Sequence, residues 1–188
     1  MKVLIIPEDQ ELDRYIVKPV VEALFADLGV PASVNVLPEP RLRGAGEALD
    51  KDTVASIVRD NPMEDLFLLI VDRDCNREQH EAKAAQRLAE HAGKLLACLA
   101  VQEVEVWLLA LYKDRLKVTF TEVRKDPDPK ERWAEPLLKE LGSEGPGRGR
   151  KAAMRALSGK WRSLHDTCPE LLDLQRRIQA WQQQPAPV

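Results

Sequence analysis

Two short, uninterrupted apolar runs, Val3 to Ile6 and Leu66 to Val71, punctuate the sequence, and each gives way abruptly to carboxylates. Runs of this length without polar alternation predict strands buried on both faces, the pattern of a parallel sheet. Between them, apolar residues recur at helical spacing from about Leu12 to Leu28. Gly29 closes that pattern, after which Ser33 to Leu37 reads as a strand and Gly46 to Arg59 as a helix. Pro19 falls inside the first helical pattern, which predicts either a kink there or a helix that starts late with the proline in its first turn. Beyond the second acidic strand end, Arg77 to Ala92 reads as a helix stopped by Gly93, Leu95 to Val101 as a further strand, and Glu103 to Tyr112 as a helix.

This alternation with short connections predicts an α/β domain over residues 1–115, a parallel sheet with helices on both faces. Residues 116–188 change character. KDPDPK from Lys125 and GSEGPGRG from Gly142 break up helical patterns near Glu131 to Leu141, Lys151 to Leu157 and Pro169 to Trp181. A C-terminal helical extension is expected, with QQQPAPV at its end frayed because it has nothing to bury.

A net charge of -3 gives no global signature of nucleic-acid binding, so any basic footprint must be local. The first apolar run is too short for a signal-peptide core, and none approaches the roughly 18 residues of a membrane span. Cys75, Cys98 and Cys168 lack the spacing of a zinc site or a disulfide framework. The expectation is a soluble, cytoplasmic protein without a membrane partner.

In parallel α/β sheets the ligand crevice lies beyond the carboxyl ends of the strands, where chain order reverses. Glu8 and Asp72 occupy that edge, with Asp9 and Glu11 close enough to serve in place of Glu8. Asp72 and Asp74 are two apart, so in extended backbone their side chains point to one side and can share an ion. Hard oxygen ligands with no nearby His or Cys pair suit Mg²⁺ or Mn²⁺. Packed carboxylates repel, which raises a pKa among them and makes a cation a natural resolution. Singly, acids after strands are ordinary loop or capping residues; the combination of Glu8 with Asp72 and Asp74 is what singles these out.

Glu105 has apolar neighbours in Val101, Leu108 and Leu109, and a buried carboxylate must be paired or metal-bound, so it joins the candidate ligands. Otherwise it is an acid favoured by a helix N-terminus, as is Glu103. Trp107 is expected in the core. The loop bearing Arg41, Arg43, Gly44 and Gly46 reads first as a solvated one. Between Gly145 and His165, Arg148, Arg150, Lys151, Arg155, Lys160 and Arg162 occur without one acid. That local footprint suits a nucleic-acid backbone, a solvated helix face or an acidic partner.

Here a family comes into view. A first strand ending in Glu8 (LIIPED) and a later strand ending in Asp72 and Asp74 (LLIVDRD) resemble the Toprim domain of topoisomerases, bacterial primases and OLD-type nucleases. VQEVEVWLL, from Val101 to Leu109, is similar to the Glu-x-Trp helix of the DUF4276-like Toprim relatives, often regarded as parts of bacterial defence systems. The resemblance implies Mg²⁺-dependent hydrolysis of phosphodiester bonds in DNA or RNA. Asp72 and Asp74 would hold the metal, Glu8 would act as general acid/base or further ligand, and an ATPase subunit would be the partner. It equally accommodates a non-catalytic Toprim-like subunit that binds nucleic acid or a partner. Asp72-x-Asp74 as a phosphatase nucleophile pair, as in haloacid-dehalogenase-like enzymes, fits less well, because that motif normally ends a first strand and here two strands precede it.

Overall fold

The computed structural model describes residues 1–73, 77–142 and 144–183. Strands β1 (Lys2–Pro7), β2 (Ser33–Val36), β3 (Leu66–Asp72) and β4 (Leu95–Ala100) form one all-parallel, four-stranded sheet in the order β2-β1-β3-β4. The helices of the first part are α1 (Arg14–Asp27), α2 (Ala45–Ala48), α3 (Lys51–Asp60), α4 (Arg77–Glu90) and α5 (Glu105–Leu111). Those that follow are α6 (Phe120–Val123), α7 (Glu135–Glu140), α8 (Arg150–Ala153), α9 (Leu157–Thr167) and α10 (Pro169–Gln182).

Because strand side chains alternate between faces, each apolar run serves two cores. Val3, Ile5, Leu66, Leu68 and Ile70 join the cluster formed with α1 and α5, whereas Leu4, Ile6, Phe67, Leu69 and Val71 join the one formed with α2, α3 and α4. Every residue from Leu66 to Val71 is at most 1% exposed, and each such side chain contributes about 1.5–3 kcal/mol by leaving water. The α/β expectation with helices on both faces therefore holds.

Local details depart from the expected pattern. The segment expected as one helix from Gly46 to Arg59 is two, because Asp50 caps α3 by accepting the Thr53 N–H at 2.9 Å and so ends α2 before it. Helix α1 does not start late with Pro19 in its first turn but begins at Arg14 and runs through the proline. The apolar stripe of Ile16, Val17, Val20, Val21 and Leu24, all fully buried, outweighs the one backbone hydrogen bond the proline forgoes.

The C-terminal helices complete one face of the sheet. Leu137, Leu164, Leu171, Leu174 and Ile178 belong to the same apolar cluster as Val3 and Ile5. Trp107 is fully buried, as expected, and its indole N–H donates to Glu170 Oε1 at 3.0 Å, while Arg124 donates to both oxygens of Glu170 at 3.2 and 2.9 Å. That partly buried polar cluster ties α5 to α10 at the edge of the core. The end of QQQPAPV, residues 184–188, lies outside the described residues. Among the described residues no helix is long and apolar enough to cross a membrane.

Candidate functional site

The connection from β1 runs to β2 on one side and that from β3 runs to β4 on the other, so the chain order reverses between β1 and β3. The crevice of a parallel sheet opens at such a switch point, beyond the carboxyl ends. The register pairs Pro7 with Ile70, which sets Glu8 beside Asp72. Glu8 Oε2 accepts the Asp72 N–H at 3.2 Å, and Asp72 Oδ1 accepts the Val104 N–H at 2.9 Å, just ahead of α5. The neighbouring acids have other partners. Asp9 Oδ1 accepts the N–H groups of Glu11 and Leu12 at 2.7 and 3.2 Å, turning the chain toward α1, and Glu11 pairs with the exposed Arg41 at 2.8 Å. Glu8 is therefore the acid of the β1 end that meets Asp72.

Two acids that periodicity did not single out close around them. Asp13, only 3% exposed, accepts the Asp9 N–H at 3.0 Å. Glu103, half-buried rather than at an exposed helix start, accepts the Lys130 N–H at 2.9 Å. Lys130 opens a π-helical turn, residues 130–134, that runs into α7. A cavity of about 360 Å³ is lined by Glu8, Asp13, Asp72 and Glu103, with Arg43 and Lys130 supplying positive charge.

Electrostatics at this edge are governed by burial. Asp13 is pushed up to about 8, first by burial and then by the charges of Glu105 and Asp9, against the Asp9 N–H and Lys130. Burial also drives Asp72 well above the usual carboxylate range, reinforced by Asp13, Glu8 and Glu105 and opposed by the Val104 N–H. Glu103 rises to about 7, mainly through burial, with Glu105 and Glu131 adding and the Lys130 N–H subtracting. Burial alone would weaken the hold of Lys130 on its proton, yet Glu105, Glu103 and Asp13 outweigh it and raise its pKa. Clustered carboxylates in this condition need either protons or a cation.

Asp74, with Cys75 beside it, lies outside the described residues. Among the described residues no group of three or more His, Cys, Asp or Glu side chains has the arrangement of a metal cage. The carboxylates that line the cavity from two strand ends are hard oxygen donors, the kind a hard divalent cation takes.

Glu105 finds the partner its burial requires in Arg150. Both side chains are 1% exposed, and Glu105 Oε1 accepts from Arg150 Nε at 3.1 Å and Nη2 at 2.5 Å. This corrects the expectation that Arg150 contacts a nucleic-acid backbone: its guanidinium belongs to the core, and a phosphate cannot reach it. Lys160 donates to the Leu111 carbonyl at 2.5 Å and lies 5.5 Å from the Tyr112 ring centroid, capping the end of α5. Arg148, Lys151, Arg155 and Arg162 stand exposed.

What sequence reading missed has a common cause. Asp13 precedes a helix, where an acid is indistinguishable from a cap, and Lys130 sits in a proline-broken stretch with no periodicity to aim it. Only the placement of the C-terminal part against α5 brings Lys130 to the cleft.

Fold and site together define an α/β protein with a carboxylate-lined cleft at the switch point of a parallel sheet. Comparison with protein-family models, curated proteins and solved structures finds no match for this chain.

Proposed function

We propose that the cleft holds a divalent cation, Mg²⁺ or Mn²⁺, and that the protein is a Toprim-type nuclease hydrolysing phosphodiester bonds in DNA or RNA. On this reading it works in the cytoplasm, with an ATPase subunit, in bacterial defence. The observation that carries it is the meeting of Glu8 and Asp72 at the switch point, inside a cavity whose buried carboxyls are driven toward protonation. A dication relieves the same repulsion that protons otherwise relieve.

Asp72 and Asp74 are the residues that would hold the ion. When bound, it supplies Lewis-acid polarisation of a phosphoryl oxygen. The chain's own groups do the rest. Val104 N–H fixes the Asp72 carboxylate, Asp72 N–H orients Glu8, and Glu8 would move a proton as general acid/base. Lys130 and Arg43 offset the repulsion between a substrate phosphate and the carboxylates. Arg148, Lys151, Arg155, Lys160 and Arg162 form the basic surface that would hold the nucleic-acid backbone, with Arg150 excluded.

Incubating the purified protein with single- and double-stranded DNA and RNA, with Mg²⁺, with Mn²⁺ or with chelator, tests the reading. Metal-dependent cleavage lost in Asp72→Ala is the expected result; unchanged cleavage in that variant overturns it. One observation favours a second reading, a non-catalytic subunit that binds nucleic acid or a partner: Asp9 follows Glu8, where the Toprim glutamate is usually followed by Gly. Calorimetry showing no Mg²⁺ or Mn²⁺ binding, together with a stable complex, would select it.

A further inference from the structure

The β1–α1 segment that gives Glu8 and Asp13 to the carboxylate cleft also gives Gln10, Arg14 and Tyr15 to a second cavity, of about 260 Å³, which Arg41 helps to line. Its character is different. Glu11 is matched by Arg41 at 2.8 Å, so Arg14 leaves the cavity with an excess of positive charge. Its wall is firm, because Gln10 donates to the Pro40 carbonyl at 2.6 Å and accepts the Leu42 N–H at 3.1 Å, tying the loop after β1 to the loop after β2.

Tyr15 offers a half-buried ring, with the Arg14 guanidinium 5.9 Å from its centroid. The ring is held by the backbone of Gly147: a Cβ there would fall 2.2 Å from Tyr15 Cδ2, and the φ of +68° also calls for glycine. The residue after that contact is Arg148, the first of the exposed cations that continue through Lys151 and Arg155. The β1–α1 segment thus borders both the acidic cleft and the aromatic, cationic cavity, and the contact of Tyr15 with Gly147 sets that cavity against the loop that leads to the basic surface.

We propose that this second cavity is a nucleotide subsite that receives single-stranded nucleic acid as it leaves the carboxylate cleft. One unstacked base lies on Tyr15, one flanking phosphate meets Arg14, the other takes the place of Glu11 on the exposed Arg41, and the strand continues past Arg148. A single strand is specified because a base must leave its stack to meet the ring, and base–aromatic stacking with a cationic groove is the general means of holding unpaired strands. The inference rests on nucleic acid being the substrate of the adjoining cleft.

Fluorescence anisotropy with labelled single-stranded and duplex oligonucleotides over a salt series, in an Asp72→Asn background, tests it. Arg14→Gln with Arg41→Gln is expected to weaken single-strand binding about tenfold or more and to flatten the log–log salt slope by about 0.7 for each lost phosphate contact. Tyr15→Leu is expected to weaken it by about five- to a hundredfold, from the usual worth of one stacked base. Tyr15→Phe, which keeps the ring against Gly147, is expected to bind as the parent does. Unchanged affinity and slope in the arginine double variant, preference for duplex, or no single-strand binding at all overturns the subsite. Loss of binding in the arginine variant of a protein that cleaves nothing would support the subsite while refuting the nuclease, whereas normal binding in a cleaving enzyme would do the reverse.

Discussion

The carboxyl edge of the sheet and the α8–α9 segment carry opposite charges and are treated oppositely by the fold. At the edge, Glu8, Asp13, Asp72 and Glu103 are drawn together around a cavity, and burial displaces the protonation of Asp13, Asp72 and Glu103. From Arg148 through α9, Arg148, Lys151, Arg155 and Arg162 stay in solvent, whereas the fold ties Lys160 to the Leu111 carbonyl and buries Arg150, matching it with Glu105. Like charges held together against their repulsion point to a ligand that relieves it. Charges left in water point, more weakly, to a surface. Arg150 and Arg148, two residues apart in one basic run, fall on either side of that line.

The largest expected effect breaks the comparison at Arg150. Arg150→Ala leaves Glu105 buried without its cation beside Asp13 and Asp72, and is expected to destabilise the fold by about 3–5 kcal/mol in chemical denaturation. Arg148→Ala, measured alongside, should stay within about 0.5 kcal/mol of the parent.

The pH response of the metal-free protein sharpens it from the acidic side. Asp13 holds its proton in the folded state up to about pH 8, against a reference value of 3.8. The folded chain therefore binds more protons across that window, and stability falls as pH rises. The contribution is whole below about pH 4 and is lost through about pH 8, with Asp72 acting in the same direction. Thermal unfolding should show a lower Tm at pH 8 than at pH 5, reflecting a stability loss on the order of 4 kcal/mol from Asp13, and Asp13→Asn should flatten that slope. A Tm that rises over this range would contradict the assignment.

Smaller effects belong to the exposed cations. Replacing Lys151, Arg155 and Arg162 with Gln should leave stability within about 0.5 kcal/mol while reducing the salt dependence of nucleic-acid binding. A solvated face with no ligand would show the same stability and no change in binding.

How far the sequence revealed all this depends on whether neighbours in the chain or neighbours in space decide. The four strands, and Glu8 and Asp72 at their ends, were legible because an apolar run that stops at an acid is a local signal and strand order then brings the ends together. The Asp50 cap is not legible, because apolar periodicity runs across it. Arg150 could not be told from Arg148, since what turns it inward is the packing of Gly147 on Tyr15 and the reach to Glu105, a residue far away in the chain. Lys130 and Asp13 were invisible as site residues for the same reason, their meeting being made by the C-terminal part folding back over α5.

Calorimetric titration of Mg²⁺ or Mn²⁺ into the protein at pH 7, repeated in two buffers of different ionisation enthalpy, tests the central claim most directly. If the cleft is a divalent-cation site, the parent binds and releases protons from its buried carboxyls, so the apparent enthalpy differs between buffers, and Asp72→Asn binds far more weakly. An absence of binding, or equal binding in Asp72→Asn, would contradict the account.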